Sequence, residues 1–366
     1  MKIPFVDLHA QYLSIRPEID NAIAEVIANT AFIGGQFVRK FESDFSSLLG
    51  VEHTISCANG TDSLYIMLRM LGIGVGDEVV TVANSWISSS ETIGQTGALP
   101  VFVDVTSDYY SIDENLFEAA ITERTKAAVI VHLQGQPCEM QTIQEICDRR
   151  GITLLEDCAQ SHLTEYKGQT VGTFGFAASF SFYPGKNLGA YGDAGCIVTN
   201  DAAFADKCRM FANHGALLKH QHKIEGINSR LDGLQAAILS AKMPYLNEWT
   251  QSRISNADLY NTHLKGIEEI ILPIVRPDCK HTFHLYVIRV KNREKLSHYL
   301  KANGIDTAVH YPLALPNQEC YKSRNLYGKF PVATELQDEI LSLPMYPELT
   351  ESQIEYIADK IRSFYK

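Results

Sequence analysis

Between about residues 50 and 240, short apolar runs alternate with stretches whose apolar positions recur every three or four residues. Runs near five residues long predict strands, and the three-to-four spacing predicts helices. Strands are predicted over His53–Cys57, Glu78–Ala83, Leu99–Val103, Ala127–His132, Ile152–Glu156, Ala178–Tyr183 and Cys196–Thr199. Helices are predicted over Ser63–Leu71, Ile87–Gln95, Glu114–Ile121, Met140–Arg150, Ala202–Phe211 and Leu231–Leu246. Ala128-Val129-Ile130-Val131 is apolar without alternation, as expected of a strand covered on both faces. This is an α/β pattern, a mostly parallel sheet with helices packed on it. Past about 250 the pattern changes to helices at Ser252–Lys265 and Arg293–Asn303, a strand at His284–Val290 and proline-rich connections. A large α/β domain is expected over 1–250 and a smaller α+β domain over 251–366, with the first residues, up to about 20, joining the small one.

Composition narrows the function classes. Hydrophobic residues make up 45% and charged residues 20% of the 366, ordinary values for a folded protein. The formal net charge is −11 and no Lys/Arg run stands out, so neither a nucleic acid nor a membrane surface is an expected partner. MKIPFVDLHAQY lacks the basic start and apolar stretch of a signal peptide, and no apolar run approaches about 18 residues, so a cytoplasmic location is expected. The eight cysteines form no CxxC pair and the histidines show no paired zinc spacing. They read as buried small side chains, with no structural metal expected.

Four segments fall at strand ends, where ligands gather in open α/β sheets. Cys57-Ala58-Asn59-Gly60-Thr61-Asp62-Ser63 follows a strand and opens a helix, so its N–H groups suit a phosphate, or merely a helix cap. Leu154-Leu155-Glu156-Asp157-Cys158-Ala159-Gln160 ends an apolar strand on two acids; a carboxylate there needs a cation or several donors. In Ser179-Phe180-Ser181-Phe182-Tyr183-Pro184-Gly185-Lys186-Asn187-Leu188-Gly189, a lysine stands between an aromatic strand and a glycine-rich turn. Most lysines are solvated surface groups, but one desolvated in such a place becomes a nucleophile and base. Trp86, just past the strand at 78–83, is either core or a flat platform for a planar ligand.

Taken together, in this order, these segments resemble the StrS/DegT family of sugar aminotransferases. The resemblance runs from Ile3-Pro4-Phe5-Val6-Asp7-Leu8 to His310-Tyr311-Pro312, essentially the whole chain. It implies the aspartate aminotransferase-like fold (fold type I), a homodimer with shared active sites, and pyridoxal 5'-phosphate as cofactor. It also implies a role for each matching residue. Lys186 bonds the cofactor covalently and Asp157 pairs with its ring nitrogen. Gln160 contacts the ring hydroxyl and Trp86 stacks on the ring. Gly60, Thr61 and Ser181 hold the phosphate, and Asn228 reaches the phosphate of the partner subunit's cofactor. His162, Arg230 and His310 are implied on the substrate side. The implied reaction passes an amino group from L-glutamate to a nucleotide-linked keto-sugar, in two half-reactions. The motif around Gln160 and His162 is similar to members that aminate carbon 3 of dTDP-linked 3-keto-6-deoxyhexoses. A UDP-linked 3-keto sugar, a 4-keto sugar or a keto-inositol would use the same cofactor residues, and a non-enzymatic cofactor-binding regulator is the reading from another class. Leu163-Thr164 departs from the Gly-Ala usual in the family, a change expected to reshape the sugar pocket.

Overall fold

The computed structural model describes residues 1–324 and 329–366. Its centre is a seven-stranded sheet of β1 (His53–Cys57), β2 (Glu78–Val82), β3 (Leu99–Val103), β4 (Thr125–Val131), β5 (Thr153–Asp157), β6 (Ala177–Ser181) and β7 (Gly195–Thr199). The strand order is β1-β7-β6-β5-β4-β2-β3. All neighbours are parallel except those of β7, which is antiparallel to both β1 and β6. The other six strands therefore run in one sense. Their carboxyl ends at Cys57, Val82, Val131, Asp157 and Ser181 bring the four marked segments to one edge of the sheet. The sheet is buried on both faces: Val80, Ala128 and Ile130 pack into one apolar cluster, while Val79, Ala127 and Val129 pack into another.

The expected strands are all present, two with the expected ends and the others with ends shifted by at most two residues. Three differences concern helices. The pattern from 231 onward divides at Met243-Pro244-Tyr245 into a helix Gly233–Lys242 and a long helix Leu246–Leu264. Pro244 supplies no N–H to continue the first helix, which explains the division. The predicted helix at 114–121 is one α-turn, Glu114–Phe117, continued as a 3-10 turn. The N-terminal helices Leu8–Ser14, Arg16–Ala28 and Gly35–Leu49 were not predicted. The last of these buries Phe41, Phe45 and Leu49 at four-residue spacing against Phe180 and Phe182 of the central sheet.

A separate apolar cluster surrounds a three-stranded antiparallel sheet of Ile270–Ile271, Tyr286–Val290 and Ile340–Leu343. Helices Arg293–Ala302 and Glu351–Tyr365 cover it. Ile3 bridges to Ile305 and is buried in this cluster. Position 250 lies within the helix Leu246–Leu264, whose C-terminal half packs into the cluster through Ala257, Tyr260 and Leu264. Six of the eight cysteines are buried, Cys279 is half-buried and Cys320 exposed. Among the described residues no helix is long and apolar enough to cross a membrane.

Candidate active site

The turn after β1 is built to leave N–H groups free. Asn59 is extended and its side chain accepts from Asp62 N (2.8 Å), capping the helix Gly60–Met70. The Ser63 N–H bonds the Asn59 carbonyl. Gly60 and Thr61 N–H thus remain at the positive end of the helix, among hydroxyls of Thr61, Ser88 and Ser181. The turn lies so close to β6 that a Cβ on Gly60 would stand 2.7 Å from Ser181 Cβ. Gly195 of β7 is required for the same reason, since a Cβ there would meet the Asn59 backbone at 2.4 Å.

The two acids ending β5 face opposite sides of the sheet, as successive strand residues must. Glu156 is fully buried and accepts four hydrogen bonds, from Gly172 N (2.7 Å), Phe174 N (2.8 Å), Gly175 N (2.7 Å) and His132 Nε2 (3.0 Å). His132 Nδ1 accepts the Cys138 N–H, so the ring proton sits on Nε2. Glu156 is therefore a structural tie for the 172–175 turn. Asp157 accepts only two bonds, from Ala159 N (3.1 Å, Oδ1) and Ser89 Oγ (3.1 Å, Oδ2). Burial pushes its carboxyl up from the ordinary range. The Ala159 N–H, the Ser89 hydroxyl and the nearby Lys186 charge oppose that push.

Lys186 sits in a loop closed by two backbone bonds, Lys186 N to Tyr183 O and Ala190 N to Phe182 O, both 2.8 Å. Asn187 fixes the loop's far side, donating to Thr282 O (3.3 Å) and bonding His284 Nδ1 (3.2 Å). The Lys186 amine makes no hydrogen bond among the described residues. Burial lowers it to about 8, with the Asp157 carboxylate opposing. A lysine of this kind holds a usable lone pair near neutral pH.

Gln160 bridges two segments: Oε1 accepts from Gln134 N (2.7 Å) and Nε2 donates to the Tyr311 hydroxyl (2.9 Å). Tyr311 in turn stands 5.6 Å from the Trp86 ring, which is 58% exposed and so is not a core residue. Ser89 and Tyr311 were not singled out from sequence. Ser89 had a local signal, the Ser88-Ser89-Ser90 run that follows Trp86-Ile87. Tyr311 had none beyond its neighbour His310.

The substrate-side residues divide. His310 bonds Ser342 Oγ (2.9 Å) and stacks 5.6 Å from Phe5; burial and the Lys186 charge lower it to about 4. Arg230 and Asn228 are exposed. Ser229 between them ties this segment to the cradle turn, donating to Asp62 (2.6 Å) and accepting from Ala58 N (3.1 Å). His162 is 1% exposed and lies against Phe180 and Phe182, behind the Lys186 loop rather than on an open surface. Leu163 lies in the same core at φ 60°, where glycine would carry no strain. Thr164 bonds Gly135 O and Thr282 Oγ1. The pair at 163–164 thus packs beneath the Lys186 loop rather than forming an open pocket wall.

Comparison with known proteins gives this arrangement its context. The profile of the DegT/DnrJ/EryC1/StrS aminotransferase family matches residues 13–362. A "Pleiotropic regulatory protein" of Geobacillus stearothermophilus is 43% identical over 100% of this chain and 99% of its own length. The dTDP-3-amino-3,6-dideoxy-alpha-D-galactopyranose transaminase of Aneurinibacillus thermoaerophilus is 41% identical, covering 99% of each. The crystal structure of S. venezuelae DesV superposes with a TM-score of 0.97 at 38% identity, covering 100% of this chain and 99% of that one.

Proposed function

The chain belongs to the DegT/DnrJ/EryC1/StrS aminotransferase family, a pyridoxal-phosphate-dependent family of sugar aminotransferases, and we propose that it transfers an amino group from L-glutamate to carbon 3 of a dTDP-linked 3-keto-6-deoxyhexose. The observation that carries the chemistry is the pairing of an unbonded amine, Lys186, with a half-satisfied buried carboxylate, Asp157, beside a phosphate cradle at Gly60. The substrate reading rests on the relative that aminates a dTDP-sugar and on the motif around Gln160.

The residues fit pyridoxal phosphate. The cradle with Gly60 and Thr61 N–H and the Ser181 hydroxyl suits a phosphate, on a turn packed so closely against Ser181 that a Cβ at position 60 would collide with it. Trp86 offers a flat apolar face, and Gln160 a side-chain amide for a ring hydroxyl. When bound, the cofactor supplies an aldehyde that takes up amines and a ring that accepts electrons. Asp157, held by Ala159 and Ser89, would keep a proton on the ring nitrogen. Lys186 Nζ would be the amine that holds the cofactor and, when free, the base that carries a proton to and from the substrate carbon. Because the amino group would be left on the enzyme when the donor's keto product departs, before the keto-sugar takes it up, ping-pong kinetics are expected.

The test is a panel of dTDP- and UDP-linked 3-keto and 4-keto sugars with L-glutamate as donor. The fastest amination is expected with the dTDP-3-keto-6-deoxyhexose. Faster turnover of a 4-keto or UDP-linked sugar would replace this substrate.

We further propose a homodimer with shared sites. Phe32, Ile33, Leu217, Leu218 and Ile224 are exposed apolar side chains around the segment that carries Asn228. Ile33, Val38, Ala212, Leu217 and Leu231 line a cavity of about 280 Å³ there, a surface that a second subunit would cover. Asn228 would then reach the phosphate of the partner subunit's cofactor. Lys186→Ala subunits mixed with Asn228→Ala subunits should regain about a quarter of wild-type sites, since about half the dimers are hybrid and one site of each is intact. The mixture is assayed at limiting cofactor. No recovery, with subunit exchange shown independently, would place both groups in one chain.

A further inference from the structure

A second lysine is buried more deeply than Lys186. Lys242 is 0% exposed, at the end of the helix Gly233–Lys242. An ammonium is costly to desolvate, so one kept in a core needs its N–H groups matched. Lys242 Nζ donates to Gly189 O (2.7 Å) and to Gln11 Oε1 (3.1 Å), and lies 4.3 Å from the centre of the Tyr191 ring. Its donors are thereby occupied.

These partners lead back to the catalytic loop. Gly189 closes the loop that carries Lys186, packed so tightly that a Cβ there would stand 2.3 Å from Pro184 O. Seven residues before Lys242, on the same helix face, Gln235 Oε1 accepts from Tyr191 N (2.8 Å). One helix face therefore grips the exit of the loop at two points, Gly189 and Tyr191. Gln11, from the N-terminal helix Leu8–Ser14, completes the anchor.

We propose that Lys242 is a positioning residue, which holds the Lys186 loop closed through the Gly189 carbonyl and so keeps the Lys186 amine desolvated. This rests on the assignment of Lys186 as the cofactor lysine. The physical consequence is direct. A loop freed at its neck admits water, and hydration restores a lysine toward its ordinary basicity, away from the value near 8 that burial produces.

The test uses folded apoprotein and measures the rate at which it captures pyridoxal phosphate, by absorbance, between pH 6 and pH 10. Lys242→Met removes the charge at similar length and leaves the Gly189 carbonyl and Gln11 Oε1 without their donor. The expected result is a folded protein with a lowered melting temperature, an upward shift of the pH midpoint, and capture at pH 7 slowed about tenfold, one unit of midpoint shift. Near pH 10 the rates should converge. Lys242→Gln, shorter and neutral, is measured alongside and should fall between wild type and Lys242→Met. A folded variant of either kind that captures cofactor at the wild-type rate, with the wild-type midpoint, overturns the proposal and leaves Lys242 a packing residue. Failure of the wild type itself to bond cofactor at Lys186 would instead overturn the Lys186 assignment.

Discussion

Lys186→Ala is expected to remove amino transfer almost entirely, by at least about 10⁴-fold, while the protein stays folded and still binds pyridoxal phosphate. The reasoning is local. The Lys186 amine makes no hydrogen bond among the described residues, so its loss leaves no orphaned acceptor. The loop around it is closed by backbone bonds at Tyr183 and Phe182 that do not involve the side chain. The cradle at Gly60 and the carboxylate of Asp157 are likewise untouched. What disappears is the amine that bonds the aldehyde and carries the proton. Turnover measured with donor and keto-sugar, together with equilibrium binding of cofactor, separates the two effects. Retention of more than a few per cent of activity would mean that another group performs the proton transfer.

Asp157→Asn should cut turnover by roughly 10³-fold, the scale of removing one preorganised electrostatic contact from a buried site. The amide is the same size and keeps both neighbours within reach, so the fold should survive. It cannot hold a proton on the ring nitrogen by charge. Glu156→Gln is the control, and the structure predicts a different failure for it. Glu156 accepts four donors in a dry interior; an amide NH₂ in place of one oxygen would confront N–H groups of the 172–175 turn. The expected cost is about 2–4 kcal/mol of stability, seen as a lowered melting temperature, with the turnover of folded enzyme much less affected. If Glu156→Gln stays as stable as wild type and loses more turnover than Asp157→Asn, the two acids have been assigned the wrong way round.

This division of labour shows what local pattern carries. Two acids ending an apolar run were visible from sequence, and strand alternation puts them on opposite faces. Which of them is left with spare acceptor capacity was not visible in the local pattern, because that depends on the 172–175 turn folding back over Glu156. The apolar run Ala128–Val131 made a doubly covered strand legible because burial on both faces leaves no room for polar residues. The stripe Phe41, Phe45, Leu49 was equally regular, whereas the helix Arg16–Ala28 buries only Ile19 and Val26 and left little signal. Contacts that span the chain were the least legible. Gln160 meets Tyr311 across 151 residues and Ser89 meets Asp157 across 68. No local periodicity encodes either. His162, beside the motif in sequence, lies against Phe180 and Phe182, a contact that no local pattern shows either.

The account turns on which lysine bonds the cofactor, and the structure offers two whose basicity burial lowers to about 8, Lys186 and Lys242. Lys242 has its hydrogens engaged by Gly189, Gln11 and the Tyr191 ring; Lys186 has none engaged. Reduction of the yellow holoprotein with borohydride, followed by digestion and mass spectrometry, reads the answer directly. The expected result is loss of the near-visible band and a single pyridoxyl label on the peptide containing Lys186. A label on Lys242 or any other lysine, with Lys186 unmodified, would contradict it.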